Sequence, residues 1–295
     1  MKLILHIGYP KVMSKFLQTE IFCNLNSLNF LNHEGSSYLL YHKIREYIFY
    51  KTDEQFEENL SNLQKEILDN LSKEKLNIFS DEIYLWPNEN GYEKIFFRLS
   101  KIFNFLKKSD INIIIFKRDQ SQILQSMYCE NQKIFINLDS KFIDFNFLIK
   151  DIFIKKNLNK KKLNFFRCLE FNKISDFLLK KYDFKVHLFN YDDIIIKDQK
   201  IINEIAEILN CNYSDLIKPF SKRPVHITKK NDDIYILKNE KLLNFFRLFT
   251  FNKIFKSFFS LKFKFYIKNL LFQISNKKLN FDKKNLHYIK KFYQE

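Results

Sequence analysis

Residues 2–18 read Lys2-Leu3-Ile4-Leu5-His6-Ile7-Gly8-Tyr9-Pro10-Lys11-Val12-Met13-Ser14-Lys15-Phe16-Leu17-Gln18. The run Lys2 to Ile7 is apolar from Leu3 onward apart from one histidine and too short for a helix of ordinary length, so it reads as a strand buried on both faces. Gly8 and Pro10 end it. From Ser14 onward, Leu17, Ile21, Leu25 and Leu28 recur at the three- and four-residue steps of one helix face. Strand, short loop, helix is therefore the opening unit.

Three further apolar runs follow, Leu76 to Phe79, Ile111 to Phe116 and Phe184 to Phe189. Between them lie segments of helical period, marked by Phe56, Leu60, Leu63, Ile67 and Leu71, and by Phe96, Leu99, Ile102, Phe103 and Leu106. Ile201, Ile202, Ile205, Ile208 and Leu209 mark another. This alternation predicts an α/β fold, a central parallel sheet flanked by helices. Pro219 and Pro224 bracket an expected loop containing Ser221, Lys222 and Arg223. The boundary is placed there: residues 1–225 as the α/β domain and 226–295 as a basic, Phe-rich helical extension.

Composition narrows the chemistry. With 295 residues, 46% hydrophobic and 28% charged, the chain has the make-up of a globular protein. Gly8, Gly35 and Gly91 are its three glycines, which excludes the G-x-G-x-x-G fingerprint, the Walker A loop and the G-x-S-x-G elbow. An ATP or GTP phosphotransferase is accordingly a poor reading. Cys23, Cys129, Cys168 and Cys211 form no C-x-x-C pair, so a zinc ribbon, a redox pair and a disulfide framework are disfavoured, and no metal site is expected. A reducing, cytoplasmic setting is expected, because the first apolar run is too short for a signal peptide or a span.

The formal charge of +16 rests on 44 lysines and six arginines, in a chain equally rich in Asn, Ile and Phe. That is the composition of an AT-rich genome, and it lowers the weight of a nucleic-acid reading, for which Lys-rich runs with aromatics give superficial support. Residues 241–295 hold 13 Lys or Arg against Asp282 and Glu295, with ten phenylalanines between Phe245 and Phe272. Lysines at 256, 262, 264 and 268 interrupt that stretch, which argues against a spanning helix. Two readings stand. Either the tail caps the core with phenylalanine and holds its lysines in water, or it is a basic surface that docks on an anionic membrane or partner. The run Lys155-Lys156 and Lys160-Lys161-Lys162 reads as a solvated helix end or loop, with an acidic glycan as its sharper alternative.

In open parallel sheets ligands bind beyond the carboxyl ends of the strands. After the first strand, residues 8–18 gather two lysines, a hydroxyl and a helix N-terminus, which together suit an anion. After the third comes Lys117-Arg118-Asp119-Gln120-Ser121-Gln122-Ile123-Leu124-Gln125-Ser126-Met127-Tyr128, where Asp119 can cap the next helix and Ser126 lies within it. His6 and His187 sit in apolar strands and read as core histidines. Trp86 would pack or line a cleft.

Together these stretches resemble the sulfotransferase family, closest to its bacterial and glycan-type members, over roughly residues 1–225. Residues 10–18 are similar to that family's 5′-phosphosulfate loop, Pro-Lys-Thr-Gly-Ser/Thr-Ser/Thr followed by an apolar or aromatic residue and Leu-Gln. Residues 118–128 are similar to its 3′-phosphate motif, an arginine ending a strand and a serine eight residues on. Phe189-Asn190-Tyr191-Asp192-Asp193-Ile194 resembles the family's late strand and acidic turn.

The resemblance implies a P-loop-like architecture, 3′-phosphoadenosine 5′-phosphosulfate as co-substrate, and sulfuryl transfer to an acceptor hydroxyl or amine, most simply on a carbohydrate. By the same resemblance Lys11 would neutralise charge on the leaving phosphate, and Ser14 with adjacent amides would hold the 5′-phosphate. Arg118 and Ser126 would hold the 3′-phosphate, and the loop at Lys222 and Arg223 would close over it. The base would be Glu82, in Phe79-Ser80-Asp81-Glu82, with Glu34 and His42 as alternatives. Val12, Met13 and Lys15 depart from the pattern: a hydroxyl, the glycine and a further hydroxyl are replaced, and Lys15 would supply charge in compensation. A non-catalytic relative that serves as a binding protein is the rival reading, because methionine resists the positive φ of the glycine position.

Overall fold

A computed structural model describes residues 1–9, 12–31, 37–85, 91–221, 234–237, 272–275 and 283–294. The chain divides into two compact units, one of residues 1–123 and 158–225, the other of residues 124–157 and 226–295.

The first unit is built on a five-stranded, wholly parallel sheet: β1 (Leu3–Ile7), β2 (Leu28–Leu31), β3 (Leu76–Asp81), β4 (Ile111–Lys117) and β5 (Lys185–Asn190), in the order β2-β3-β1-β4-β5. Every residue of β1 and of β3 is buried, as their apolar runs require. The helices of this unit are α1 (Ser14–Phe16), widening into a π-helical segment Leu17–Phe22, then α2 (Tyr38–Phe49), α3 (Asp53–Asn70) and α4 (Tyr92–Ile102). Gln120 starts α5 (Gln120–Leu138), whose later turns belong to the second unit. The second unit continues with α6 (Phe145–Ile149) and a π-helical turn Lys150–Ile154. The chain then returns to the first unit for α7 (Lys160–Arg167), α8 (Phe171–Tyr182), α9 (Tyr191–Ile195), α10 (Gln199–Leu209) and α11 (Tyr213–Ser221). Residues 226–295 contribute an antiparallel ribbon, β6 (Ile234–Leu237) with β7 (Phe272–Ser275), and α12 (Lys283–Gln294).

Local chemistry sets the helix starts. Thr52 and Gln55 form a reciprocal capping box at α3, each backbone N–H donating to the other's side-chain oxygen at 3.2 Å. Asp198 caps α10 by accepting from Ile201 N–H at 3.1 Å, and Asp119 caps α5 by accepting from Gln122 N–H at 3.2 Å, as its sequence position predicts.

The predicted parallel sheet flanked by helices is the observed architecture, with four corrections. The helix after β1 stops at Phe22, and Leu28 opens an additional strand at the sheet edge. Asn24 explains the stop, since its side-chain amide donates to the carbonyls of Thr19 and Glu20, both at 3.1 Å. Pro219 lies inside α11 rather than at the edge of a loop. Lys162 is buried in α7, where a solvated lysine was expected. The extension read as helical holds the β6–β7 ribbon as well as α12, because Ile234–Leu237 and Phe272–Ser275 satisfy each other's backbone groups across 34 intervening residues, a pairing that local period does not reveal.

Candidate functional site

The order β2-β3-β1-β4-β5 puts the reversal of the chain at β1, so the carboxyl ends of β3, β1, β4 and β5 line one edge of the sheet. Register fixes which residues meet there. Ile7 pairs with Asp81, and Lys117 pairs with Asn190. Gly8, Glu82, Arg118 and Tyr191 each come one residue beyond these ends.

Gly8 is held by its N–H, which donates to the Asp81 carbonyl at 3.3 Å. A Cβ built on Gly8 would come within 2.2 Å of Ser14 Oγ and 3.3 Å of Glu82 Cβ, so only glycine admits both side chains. Ser14 is buried, and its hydroxyl donates to the Tyr9 carbonyl at 3.2 Å, folding the start of α1 back over the end of β1. Between them Met13 takes φ 48° and ψ 13°. The left-handed backbone expected of a glycine is therefore present with a methionine in it, at a strain of about 1 kcal/mol. Val12 is buried and Lys15 is exposed. Lys11 and Pro10 lie outside the described residues.

Behind the loop a polar chain crosses the core. Gln18 donates to Ser80 Oγ at 3.0 Å, and Ser80 Oγ lies 2.6 Å from His6 Nδ1. Ser80 Oγ thus bridges the Gln18 amide and the His6 ring. Burial holds the imidazole neutral, its pKa pushed down to about 3. His6 is thus a core histidine, as read from its apolar strand. His187 is half-buried, its Nε2 3.1 Å from Asn112 Oδ1.

Asp81 does more than end a strand. Its carboxylate is buried, accepts from Ile83 N–H at 3.0 Å and lies 3.3 Å from Arg45 Nε on α2. Tyr41 donates to it as well, and burial together with this carboxylate pushes the Tyr41 phenol well above its usual range. The short turn Glu82–Leu85 that carries Glu82 is anchored by these contacts.

Arg118 leaves β4 half-buried. Its Nε donates to Gln122 Oε1 at 2.7 Å, one turn along α5, and its guanidinium carbon lies 5.0 Å from the centre of the Tyr191 ring. Those two contacts fix the plane of the guanidinium. Tyr191 is visible in the sequence as the first residue after a strand, but only the β4–β5 register brings it beside Arg118.

Of the remaining candidates, Ser126 stands on α5 in the second unit, partly exposed. His42 is exposed on α2, its ring 4.3 Å from Tyr38 and 5.3 Å from Tyr41. Glu34, Trp86, Lys222 and Arg223 lie outside the described residues. The end of α11 that precedes Lys222 packs against the first loop's helix, with the Phe220 and Phe16 rings 6.0 Å apart. Among the described residues no group of three or more His, Cys, Asp or Glu is placed to hold a metal ion. Nor is any helix among them long and apolar enough to cross a membrane.

Fold and site together define an open parallel α/β protein with a constricted loop at the strand reversal and an arginine at the neighbouring strand end. Among solved structures, the chain is similar to a sulfotransferase from Alicyclobacillus acidocaldarius, at 12% identity and a TM-score of 0.43 over 72% of this chain and 82% of that one. It is also similar to the sulfotransferase domain from the curacin biosynthetic pathway, at 14% identity and a TM-score of 0.38 over 74% of this chain and 77% of that one. No family model and no curated protein matches the sequence.

Proposed function

We propose that this chain is a sulfotransferase that moves a sulfuryl group from 3′-phosphoadenosine 5′-phosphosulfate to a hydroxyl or amine of an acceptor, most simply a carbohydrate. The observation that carries the reading is Met13: a left-handed residue directly before α1, with the Ser14 hydroxyl bonded to Tyr9 beside Gly8, supports an anion-binding turn although methionine stands at the position of the family's glycine. Strain of this kind persists where the surrounding structure demands it.

In this reading the amides at the start of α1 and the side chain of Lys11 hold the 5′-phosphosulfate, and Lys11 offsets the charge that develops on the leaving phosphate. Arg118, oriented by Gln122 and Tyr191, pairs with the 3′-phosphate, and Lys222 and Arg223 close over it. Glu82 is favoured as the base over Glu34 and His42, because its Cβ approaches the same point above Gly8 as Ser14 Oγ. Sulfuryl transfer, like phosphoryl transfer, depends on positioning and charge stabilisation, with the base taking the acceptor proton. The protein would act in the cytoplasm.

The deciding experiment is calorimetric titration with 3′-phosphoadenosine 5′-phosphate, using adenosine 5′-phosphate as control and Arg118→Ala as variant. Saturable binding that needs the 3′-phosphate and Arg118 supports the reading. Absence of binding by the folded wild type returns the chain to the rival reading, a non-catalytic relative, which the buried Val12 and the methionine side chain at position 13 favour.

A further inference from the structure

The positive charge is not spread evenly. The second unit, residues 124–157 and 226–295, holds 21 Lys and Arg against nine Asp and Glu, a net +12 of the chain's +16. The first unit is close to balanced, with 29 against 25 over its larger length. A mutational drift towards lysine acts along the whole chain, whereas this excess is concentrated in residues 226–295, with 16 Lys and Arg against five Asp and Glu, so the asymmetry calls for a physical role.

The described residues of the second unit carry nine of its lysines, against Glu130, Asp139, Asp144 and Asp151. α12 carries Lys283, Lys284, Lys290 and Lys291 and no acid. It buries Ile289 completely, and its Phe292 ring stands edge-on to Phe153 of the π-helical turn at 5.1 Å. Lys150 at the start of that turn, Lys155 and Lys156 just after it, and Lys290 and Lys291 of α12 are exposed. The single acid of the turn, Asp151, is buried and accepts from the Asn157 amide at 2.9 Å. Two large side chains of the same segments are also exposed, Ile154 at 41% and Tyr288 at 39%.

We propose that this face docks the protein on an anionic lipid bilayer. Lysines with a few projecting apolar and tyrosine side chains suit a headgroup layer, where each lysine adds to the attraction and the rings and aliphatic groups enter the interface. The described surface of this unit carries no arginine, the residue best fitted to phosphate and base recognition in nucleic acids. The inference is independent of the proposed activity, because no residue of the sheet edge takes part.

The test is flotation of the full-length protein with vesicles of phosphatidylcholine alone or with about 30% phosphatidylglycerol, in ~0.1 M and ~0.5 M salt. Wild type is expected to float with the anionic vesicles at low salt, to stay behind with the neutral ones, and to be released at high salt. Lys290→Glu/Lys291→Glu and Lys150→Glu/Lys155→Glu are each expected to weaken partition at least about tenfold. Lys73→Glu/Lys75→Glu, an equal charge change in the first unit, should alter it less than about twofold. Circular dichroism establishes that each variant is folded, and the two reversals lie on different elements, so loss of one fold leaves the other decisive. Failure of wild type to float with anionic vesicles overturns the proposal. So does an equal loss in the Lys73/Lys75 control, or capture of a single-stranded oligonucleotide by a protein that ignores the vesicles.

Discussion

The guanidinium of Arg118 lies 5.0 Å from the centre of the Tyr191 ring, and its Nε donates to Gln122 at 2.7 Å. One partner follows a strand end and the other stands one turn along α5, and together they leave the two terminal nitrogens of Arg118 for a ligand. A cation–π contact at a partly exposed site contributes about 0.5–1 kcal/mol. Tyr191→Ala is therefore expected to weaken binding of 3′-phosphoadenosine 5′-phosphate about two- to fivefold in calorimetry, and Tyr191→Phe to leave it unchanged. Equal losses in both variants would assign the effect to the hydroxyl instead.

Met13 offers a gain-of-binding experiment. Its φ of 48° costs a side-chain-bearing residue about 1 kcal/mol, and in the proposed function it replaces the glycine that would let a phosphate approach the backbone. Met13→Gly is expected to raise nucleotide affinity severalfold. A β-branched residue tolerates this region still less, so Met13→Val should lower the urea midpoint by an amount equivalent to about 1–2 kcal/mol.

Arg98 is almost completely buried and donates to the carbonyls of Tyr47, Ile48 and Lys51 at 2.8, 3.1 and 2.9 Å, closing the end of α2. It also reaches Asp53 Oδ1 at 2.5 Å, at the start of α3. Arg98→Met should cost about 3 kcal/mol in chemical denaturation, because three carbonyls lose their charged donor. Asp53→Asn should barely move the midpoint, since that carboxylate faces water.

The neutral, buried His6 makes stability pH-dependent. Its pKa falls from about 6.5 unfolded to about 3 folded, so between these values the unfolded chain binds the extra proton. The stabilisation is complete above pH ~6.5 and is lost as the pH falls towards ~3. Wild type is expected to lose about 1–2 kcal/mol between pH ~6.5 and ~5, measured by urea denaturation. His6→Gln should lack this slope while retaining a hydrogen-bonding partner for Ser80. An unchanged slope would place the proton uptake elsewhere.

Much of the fold was legible because it follows from local period. Apolar runs too short for helices marked β1, β3, β4 and β5, and the steps from Ile201 to Leu209 marked α10, since burial of a continuous face leaves its spacing in the sequence. Asp119 announced itself as a cap because a cap needs only the next three residues. The sequence also brought Gly8, Ser14, Glu82 and Arg118 forward as candidates, each directly after a strand or at a helix start.

Tertiary structure decided what depends on register and on contacts distant in the chain. Leu28 fitted the helix face of Leu17 to Leu25 as well as it fits an edge strand, and pairing with β3 resolved that ambiguity. The juxtaposition of Arg118 with Tyr191 comes from the pairing of Lys117 with Asn190, 73 residues on. Asp81 gained its role from Arg45 and Tyr41 on another element, and Met13 its left-handed backbone from the packing around the loop. A sequence records the surfaces that each segment must bury; which partners meet across them is set by the free energy of the whole packed core, which no single segment contains.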